Sequence, residues 1–185
     1  MYPDFYLRTG FMPLSNPHDE PQQERVLFSD KEIRSLVAYV ASLGSGPPIP
    51  DPGVRYVNGR LTGPGTVGDG FYQYTLNCAG CHQAVARGGF VTGARVPPLQ
   101  GVTPTEIAEA VRIGPYLMPR FSTTQLSDYE LASIIKYVLS TKAPPNRGGW
   151  GIGNLGPIPE GMVAWWIAIP LLLGLCLILG KRLRS

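Results

Sequence analysis

The feature that most restricts the fold is an uncharged apolar run near the carboxyl end of the chain. It extends from Gly161 to Gly180 without one charged residue. As a helix, these 20 residues would be about 30 Å long, which is the thickness of the hydrocarbon core of a bilayer. A buried helix of a water-soluble protein rarely runs so far without a polar face. The run therefore predicts a transmembrane helix.

The residues that flank this run predict its orientation. Trp165 and Trp166 suit one headgroup boundary, and a basic tail at Lys181, Arg182 and Arg184 follows the other end. Because lysine and arginine collect on the cytoplasmic side, we expect the carboxyl terminus to be cytoplasmic. The rest of the chain is then expected on the outer face of the cell membrane.

Glycine and proline divide the remaining sequence into segments. The chain has 23 glycines and 19 prolines, and they are dense at 46–53 and 144–151. Such stretches are typical of linkers. The predicted division is a first segment 1–46, a linker 47–66, a second domain 67–143, a linker 144–160, the membrane helix 161–180 and a tail 181–185.

The chain contains the same helical sequence twice, because Ser29–Ser42 aligns with Ser127–Ser140 without a gap. Each copy begins with a capping box, in which a serine and a glutamate three residues later satisfy free backbone N–H groups. Each also places apolar residues on one helical face, namely Ile33, Leu36, Val37 and Val40 in the first copy and Leu131, Ile134, Ile135 and Val138 in the second. We therefore expect two amphipathic helices, each packed against a core by that face.

A third helix is predicted between the two copies. Thr103 is its cap, Pro104 suits its first turn, and Glu106 completes a capping box. Gly114 and Pro115 end it. These signals favour an all-α fold.

A Cys-x-x-Cys-His sequence occupies residues 78–82. This is the spacing of a haem c attachment site, in which Cys78 and Cys81 form thioethers with the haem vinyl groups and His82 ligates the iron. The short spacing holds both sulfurs on one edge of the porphyrin. Since only one such motif is present, one covalent haem is predicted for this chain.

Two other interpretations of this motif need the same cysteines. A zinc site would require further ligands, and the candidates are His18 and the intramembrane Cys176, which makes zinc a poor interpretation. A thiol–disulfide motif would need a βαβ setting, whereas the flanks here are helical and glycine-rich.

Met118 is the candidate for the second axial ligand of the iron. It lies 36 residues beyond His82, follows the turn at 113–117 and precedes Pro119. A lone methionine usually packs in a core, but a Met-Pro pair in a loop after this motif is more often a thioether ligand. His/Met ligation gives a high-potential haem suited to electron transfer.

On these residues the chain resembles a known family. From about Gly68 to Thr141 it resembles a class I cytochrome c domain, with three helices around a His/Met haem. More closely, it is similar to the dihaem cytochrome c subunit of the actinobacterial cytochrome bcc complex, a menaquinol–cytochrome c reductase. The motifs that carry this similarity are Asn77–His82, Gly88-Gly89, Val96–Leu99, Gly114-Pro115, Met118-Pro119 and the terminal membrane helix.

The resemblance implies partners and one further site residue. In that family the subunit works with cytochrome b, takes electrons from a Rieske iron–sulfur protein and passes them to a haem-copper oxidase. It also implies that Pro97 offers its carbonyl to His82 and so orients the imidazole. Quinol oxidation would belong to the partner subunits, so the chain would be an electron carrier and not catalytic alone.

The first copy of the repeat departs from the family pattern. Met12-Pro13 precedes it, as Met118-Pro119 precedes the second copy. Cys78 lies 40 residues before Met118, and the same distance before Met12 falls ahead of residue 1. Met12 is therefore a candidate axial ligand of a first haem whose attachment half is missing. One haem c is expected in this chain, and two in a full-length family member.

Three rival functions share parts of this pattern. The chain could be a membrane-anchored cytochrome that feeds another oxidase, a haem peroxidase, or a thiol–disulfide enzyme. A nucleic-acid partner is not expected, because the net charge is only +3 and the basic residues are scattered. Four arginines are candidates to pair with haem propionates: Arg87, Arg95, Arg112 and Arg120.

Overall fold

The computed structural model describes residues 1–18, 23–91, 93–142 and 157–183. The chain divides into two compact units, Met1–Pro144 and Pro145–Ser185. Its helices are α1 (Tyr2–Arg8), α2 (Asp30–Leu43), α3 (Val67–Asn77), α4 (Ala79–His82), α5 (Pro104–Ile113), α6 (Asp128–Lys142) and α7 (Pro157–Arg182). Two antiparallel hairpins join them, β1 (Arg55–Val57) with β2 (Arg60–Thr62), and β3 (Gly89–Val91) with β4 (Ala94–Val96).

The core of the first unit forms around α6. The predicted apolar face of this helix is buried throughout, at Leu131, Ile134, Ile135 and Val138. At its start, the Ser127 hydroxyl accepts from the Glu130 N–H, and the Glu130 carboxylate accepts from the Ser127 N–H. The second copy of the repeat is therefore a capped core helix, as predicted.

Helix α3 crosses α6 at very close range. Gly70 of α3 is buried, and a Cβ there would overlap the Ser133 carbonyl oxygen and lie 2.9 Å from the Tyr137 Cβ. Only a residue without a side chain permits this approach. Because α3 leads directly into residues 78–82, the crossing sets where the haem motif lies on the core.

Helix α5 is confirmed in detail. Thr103 and Glu106 form the predicted capping box, and Pro104 occupies the first turn. Gly114 ends the helix in the left-handed conformation at φ 67°, which glycine adopts without steric cost. The chain then turns towards Met118.

The first copy of the repeat differs from the prediction. Helix α2 has its capping box at Ser29 and Glu32, but of its apolar face only Ile33 is buried. Leu36 and Val40 are exposed, and Val37 is half-buried. The physical reason is that, in the part of the chain that the structure describes, α2 packs chiefly against the short helix α1, whereas α6 has α3 lying across it.

The segment 47–66, expected to be a linker, contains the first hairpin, so the all-α prediction is incomplete. Asn58 and Gly59 both have positive φ, 50° and 74°, which is the geometry of a two-residue hairpin turn. The preceding Val54 is fully buried in the core, and the hairpin is held to α6 by Tyr56, whose hydroxyl donates to the Leu139 carbonyl at 3.1 Å. Lys136 of α6 also donates to the carbonyls of Gly63 and Gly65.

The predicted membrane helix is present in the second unit. It begins four residues earlier than expected, at Pro157, and Pro170 does not interrupt it. Its part from Gly161 to Arg182 has a mean hydropathy of 2.5 and none of it is buried within the protein. It is long and apolar enough to cross a membrane. Of the predicted linker 144–160, residues 157–160 belong to this helix, while 144–156 and the tail residues Arg184 and Ser185 lie outside the described residues.

A buried carboxyl group lies where α5 meets α1. Glu109 is fully buried, and neither side-chain oxygen has a hydrogen-bond partner among the described residues. Burial, with the nearby Asp4 charge and Glu106 adding to it, raises the pKa of Glu109 to about 8, although Arg8 and the amino terminus act in the opposite direction. The group is therefore protonated at neutral pH.

We expect Glu109 to make stability fall as pH rises. Its pKa is about 8 when folded and near the ordinary 4.5 when unfolded. Between these values the folded state binds more protons, so stability declines from about pH 5 to pH 8. Glu109→Gln should remove this decline and raise stability at pH 8, by an amount on the order of a few kcal/mol. Thermal unfolding at a series of pH values measures it.

Glu106→Gln is the matched control, because it neutralises an acid one turn away on the same helix and glutamine preserves the capping box. This variant should keep the decline. An unchanged pH profile in Glu109→Gln would contradict the assignment.

Candidate haem-attachment site

The Cys-x-x-Cys-His motif folds as a helical turn directly after α3. The Cys78 N–H donates to the Tyr74 carbonyl at 2.8 Å, and the N–H groups of Cys81 and His82 both donate to the Cys78 carbonyl. Cys78 is half-buried, Cys81 is exposed and His82 is 9% exposed. The turn therefore presents both sulfurs and the imidazole within five residues.

The two cysteines are free thiols with no disulfide between them. Burial raises the pKa of the Cys78 thiol to about 12, and Cys81 adds to this effect. Catalytic thiols of disulfide-exchange enzymes have lowered pKa values, because the thiolate is the nucleophile. The environment of Cys78 is the opposite of what such an enzyme needs.

His82 is held by Pro97, as the family resemblance implied. Its Nδ1 lies 3.2 Å from the Pro97 carbonyl oxygen. Burial lowers the pKa of His82, with the Pro97 contact opposing this in part. Since a carbonyl only accepts hydrogen bonds, the neutral ring carries its hydrogen on Nδ1. Nε2 is then the nitrogen with a lone pair to offer a metal.

The second hairpin brings Pro97 to the histidine. Strand β4 ends at Val96, one residue before Pro97. Gly88 has a φ of 69°, and a Cβ on it would collide with the Val96 carbonyl oxygen. The Gly88 N–H donates to the His82 carbonyl at 3.1 Å. Glycine at position 88 therefore lets the hairpin approach the histidine closely.

Met118 lies in the turn after α5. Its N–H donates to the Pro115 carbonyl at 3.0 Å, and its half-buried side chain packs against the hydrophobic core. Cys78 and Leu99 pack against the same core, as does Phe121. Cys78 and Met118, which are both predicted to bind a haem, thus border one common apolar core. Met12, by contrast, is exposed and lies beyond α1.

One of the four arginines predicted to pair with haem propionates, Arg112, has another role. Arg112 donates to the carbonyls of Phe121 and Leu126 and pairs with Asp128 at 2.7 Å. It therefore joins α5 to the start of α6 and is not free for a propionate. Arg87, Arg95 and Arg120 are exposed.

Sequence reasoning missed the hydroxyl contacts of two tyrosines. The Tyr74 hydroxyl donates to the Gln83 carbonyl at 2.9 Å, and the Tyr137 hydroxyl donates to the Ala84 carbonyl at 2.6 Å. Tyr74 lies one helical turn before Cys78, which is a signal that it neighbours the motif. Its acceptor could not be predicted, because that depends on how the chain returns after His82.

Helices packed around a Cys-x-x-Cys-His turn, with the histidine held by a proline carbonyl, define a c-type cytochrome domain. In agreement, residues 65–138 match the protein family described as "Cytochrome C oxidase, cbb3-type, subunit III". This domain implies haem c, and the residues present fit it: two thiols on one turn, the Cys81 thiol exposed and the Cys78 thiol half-buried, and a neutral imidazole with Nε2 available.

Similar proteins specify the family further. Over 96% of its length the chain is 34% identical to a protein of Corynebacterium diphtheriae named "Cytochrome bc1 complex cytochrome c subunit", of which it covers 67%. Proteins with the same name from Corynebacterium efficiens and Mycobacterium leprae are 32% and 34% identical, with 64% and 62% of their lengths covered. The chain belongs to this family of cytochrome c subunits. Membership implies electron transfer in a respiratory chain. The chain spans about two thirds of the length of these relatives.

Proposed function

We propose that the chain is the electron-carrying subunit of a quinol–cytochrome c reductase. It takes electrons from a Rieske iron–sulfur protein, in a complex that includes cytochrome b, and passes them towards a haem-copper oxidase. The observation that carries this proposal is the His82–Pro97 contact of 3.2 Å beside two free thiols. The names of the relatives support the choice of complex.

The residues that would hold the haem have two roles, covalent attachment and ligation of the iron. Cys78 and Cys81 attach it, and His82 and Met118 provide a nitrogen and a thioether as axial ligands. When bound, the haem supplies a one-electron couple at its edge. If His82 and Met118 both held the iron, it would be closed to substrates, which would distinguish a carrier from a peroxidase.

One haem is proposed for this chain. The repeat of α2 and α6, and the Met-Pro pair ahead of each, support the further proposal that residues 1–46 are part of a second cytochrome c domain. In that domain Met12 would be the axial ligand. Its exposure, and the exposed Leu36 and Val40, leave apolar surface that the rest of such a domain would cover.

A second candidate is a membrane-anchored cytochrome that feeds another oxidase directly. The match of residues 65–138 to a family named after an oxidase subunit favours it. That match covers only the haem-binding region, however, whereas the reductase subunits align over 96% of the chain. The reductase is therefore the preferred function.

Quinol-driven reduction of the haem tests this choice. In membranes that contain the chain with its cytochrome b and iron–sulfur partners, added quinol should reduce the haem held at His82. In membranes from a strain without those two partners, it should stay oxidised. Equal reduction in both membranes would reject the reductase assignment and favour the second candidate.

The same proposal places the cytochrome domain on the outer face of the cell membrane. Helix α7 ends with Lys181 and Arg182, while the exposed Trp165 and Trp166 lie near its other end. Protease added to intact spheroplasts should therefore remove the haem domain and leave α7. Protection of the haem domain in intact spheroplasts, with loss of a carboxyl-terminal tag, would mean that the orientation is inverted.

A further inference from the structure

Each of the five backbone carbonyls from His82 to Ala86 accepts a hydrogen bond. The His82 carbonyl accepts from the Gly88 N–H, and the Ala86 carbonyl accepts from the Leu99 N–H. Between them, three carbonyls accept from side chains: Gln83 from Tyr74 at 2.9 Å, Ala84 from Tyr137 at 2.6 Å and Val85 from Gln100 at 2.9 Å. The Gln83 carbonyl also accepts from the Ala86 N–H at 3.1 Å. Five consecutive carbonyls, 82 to 86, are thus satisfied. We call these five residues the ligand turn.

The ligand turn needs this support because its backbone is strained. Gln83 has a φ of 62° and Ala86 a φ of 58°, and positive φ values are uncommon for residues that carry a Cβ. Both residues are therefore held in backbone conformations that are sparsely populated because of steric crowding at the Cβ. Such conformations persist only where the surrounding structure over-determines them.

The side-chain donors come from three separate parts of the fold. Tyr74 lies on α3, Tyr137 on α6 and Gln100 in the loop after β4. Tyr74 is 1% exposed, and the two tyrosine rings pack with centroids 5.1 Å apart at the crossing of α3 and α6. The core therefore fixes the positions of the two rings. The hydrogen bonds from their hydroxyls in turn hold the ligand turn in place.

We propose that Tyr74, Tyr137 and Gln100 are positioning residues that fix the backbone of His82 so that its Nδ1 meets the Pro97 carbonyl. This inference rests on the proposed function, because it concerns the histidine as an iron ligand. The three residues act through the turn and do not themselves touch the iron.

The hydrogen bond between His82 Nδ1 and the Pro97 carbonyl would be broken by a small displacement. At 3.2 Å, the Nδ1 to carbonyl distance is already at the long end of the hydrogen-bond range. A shift of the turn by about half an ångström would break the bond. The bond makes the imidazole a more basic ligand, which favours ferric iron. Losing it should therefore raise the reduction potential.

The test compares tyrosine hydroxyls that donate to different backbone carbonyls. Tyr74→Phe and Tyr137→Phe, singly and together, are made in the full haem-loaded chain. Tyr56→Phe is the matched control, because its hydroxyl also donates to a carbonyl on the same core, that of Leu139, but does not touch the ligand turn. Gln100→Leu serves as a further variant, because it removes the third side-chain donor without altering the helix crossing.

Two measurements are made, the reduction potential and the hydrogen exchange of the amides of Ala86, Gly88 and Leu99. In the double Tyr variant the equilibrium constant for haem reduction should rise about threefold to tenfold, which raises the reduction potential by about 30 to 60 mV. The amides of Ala86, Gly88 and Leu99 should exchange faster. Gln100→Leu should shift both in the same direction, by less. Tyr56→Phe should change neither.

If the two Tyr variants and Gln100→Leu match Tyr56→Phe in both measurements, the proposal is wrong and the hydroxyls only stabilise the fold. If the double variant does not mature, Gln100→Leu decides alone by the same criteria. If the wild-type chain binds no haem, the proposed function fails, yet exchange of the three amides still shows whether the side chains hold the turn.

Discussion

Replacing Gly70 by alanine is expected to separate α3 from α6 and so prevent haem attachment. The added Cβ would overlap the backbone oxygen of Ser133, which belongs to the central helix and cannot move aside. Overpacking typically costs about 1 to 3 kcal/mol and occasionally more, which is a large share of the stability of a small domain. The yield of haem-loaded chain and its unfolding temperature measure the effect.

Gly68→Ala provides the control, because it makes the same change two residues earlier in α3. The nearest atom to a Cβ there is the Thr66 hydroxyl oxygen at 3.9 Å. Alanine in an open helical position should stabilise by about 0.5 to 1 kcal/mol. If Gly70→Ala and Gly68→Ala behaved alike, the close crossing of α3 and α6 would be wrong.

Replacing Met118 by alanine is expected to leave the haem attached but lower its reduction potential. In the proposed site, attachment would need Cys78 and Cys81, whereas the thioether of Met118 would be a soft ligand that favours ferrous iron. Axial ligands tune haem potentials over about 0.8 V, so loss of the sulfur should cost on the order of 0.1 V or more. Each 59 mV or so is tenfold in a one-electron equilibrium. The variant should also bind carbon monoxide.

Met12→Ala is the matched control for this experiment, since Met12 also precedes a proline ahead of a capped helix but is exposed. It should leave both the potential and carbon monoxide binding unchanged. If Met118→Ala kept its potential and bound no carbon monoxide, another residue would be the sixth ligand.

The parts of the fold that sequence predicts well are those determined by local interactions. The capping boxes of α2, α5 and α6 need only residues three apart, and all three form. The membrane helix is set by a continuous apolar run. In each case the deciding contacts lie within one or two helical turns of each other.

What the sequence analysis missed depends on which distant residues cover a surface. The apolar faces of α2 and α6 look equivalent in sequence, yet only α6 is buried, because α3 lies across it. The hairpin at 55–62 has a local signal, Asn58-Gly59, but the surrounding prolines and glycines are equally typical of a linker.

The candidate site likewise has features that the sequence predicts and features that only the fold reveals. The spacing of Cys78, Cys81 and His82 is enough to predict haem attachment. The role of Pro97 is predicted from the family resemblance alone. The tyrosine contacts to the ligand turn join residues 9 and 53 positions apart. No periodicity or motif encodes such a pairing, so only the folded chain reveals it.

The number of haems bound covalently to this chain tests the central claim most directly. The chain is matured in a host with haem-attachment machinery, beside a Cys78→Ser/Cys81→Ser variant, and the intact masses are measured. The wild-type chain should carry the mass of one haem and the variant none. A wild-type mass without haem, or with two, would contradict a single attachment site at Cys78 and Cys81.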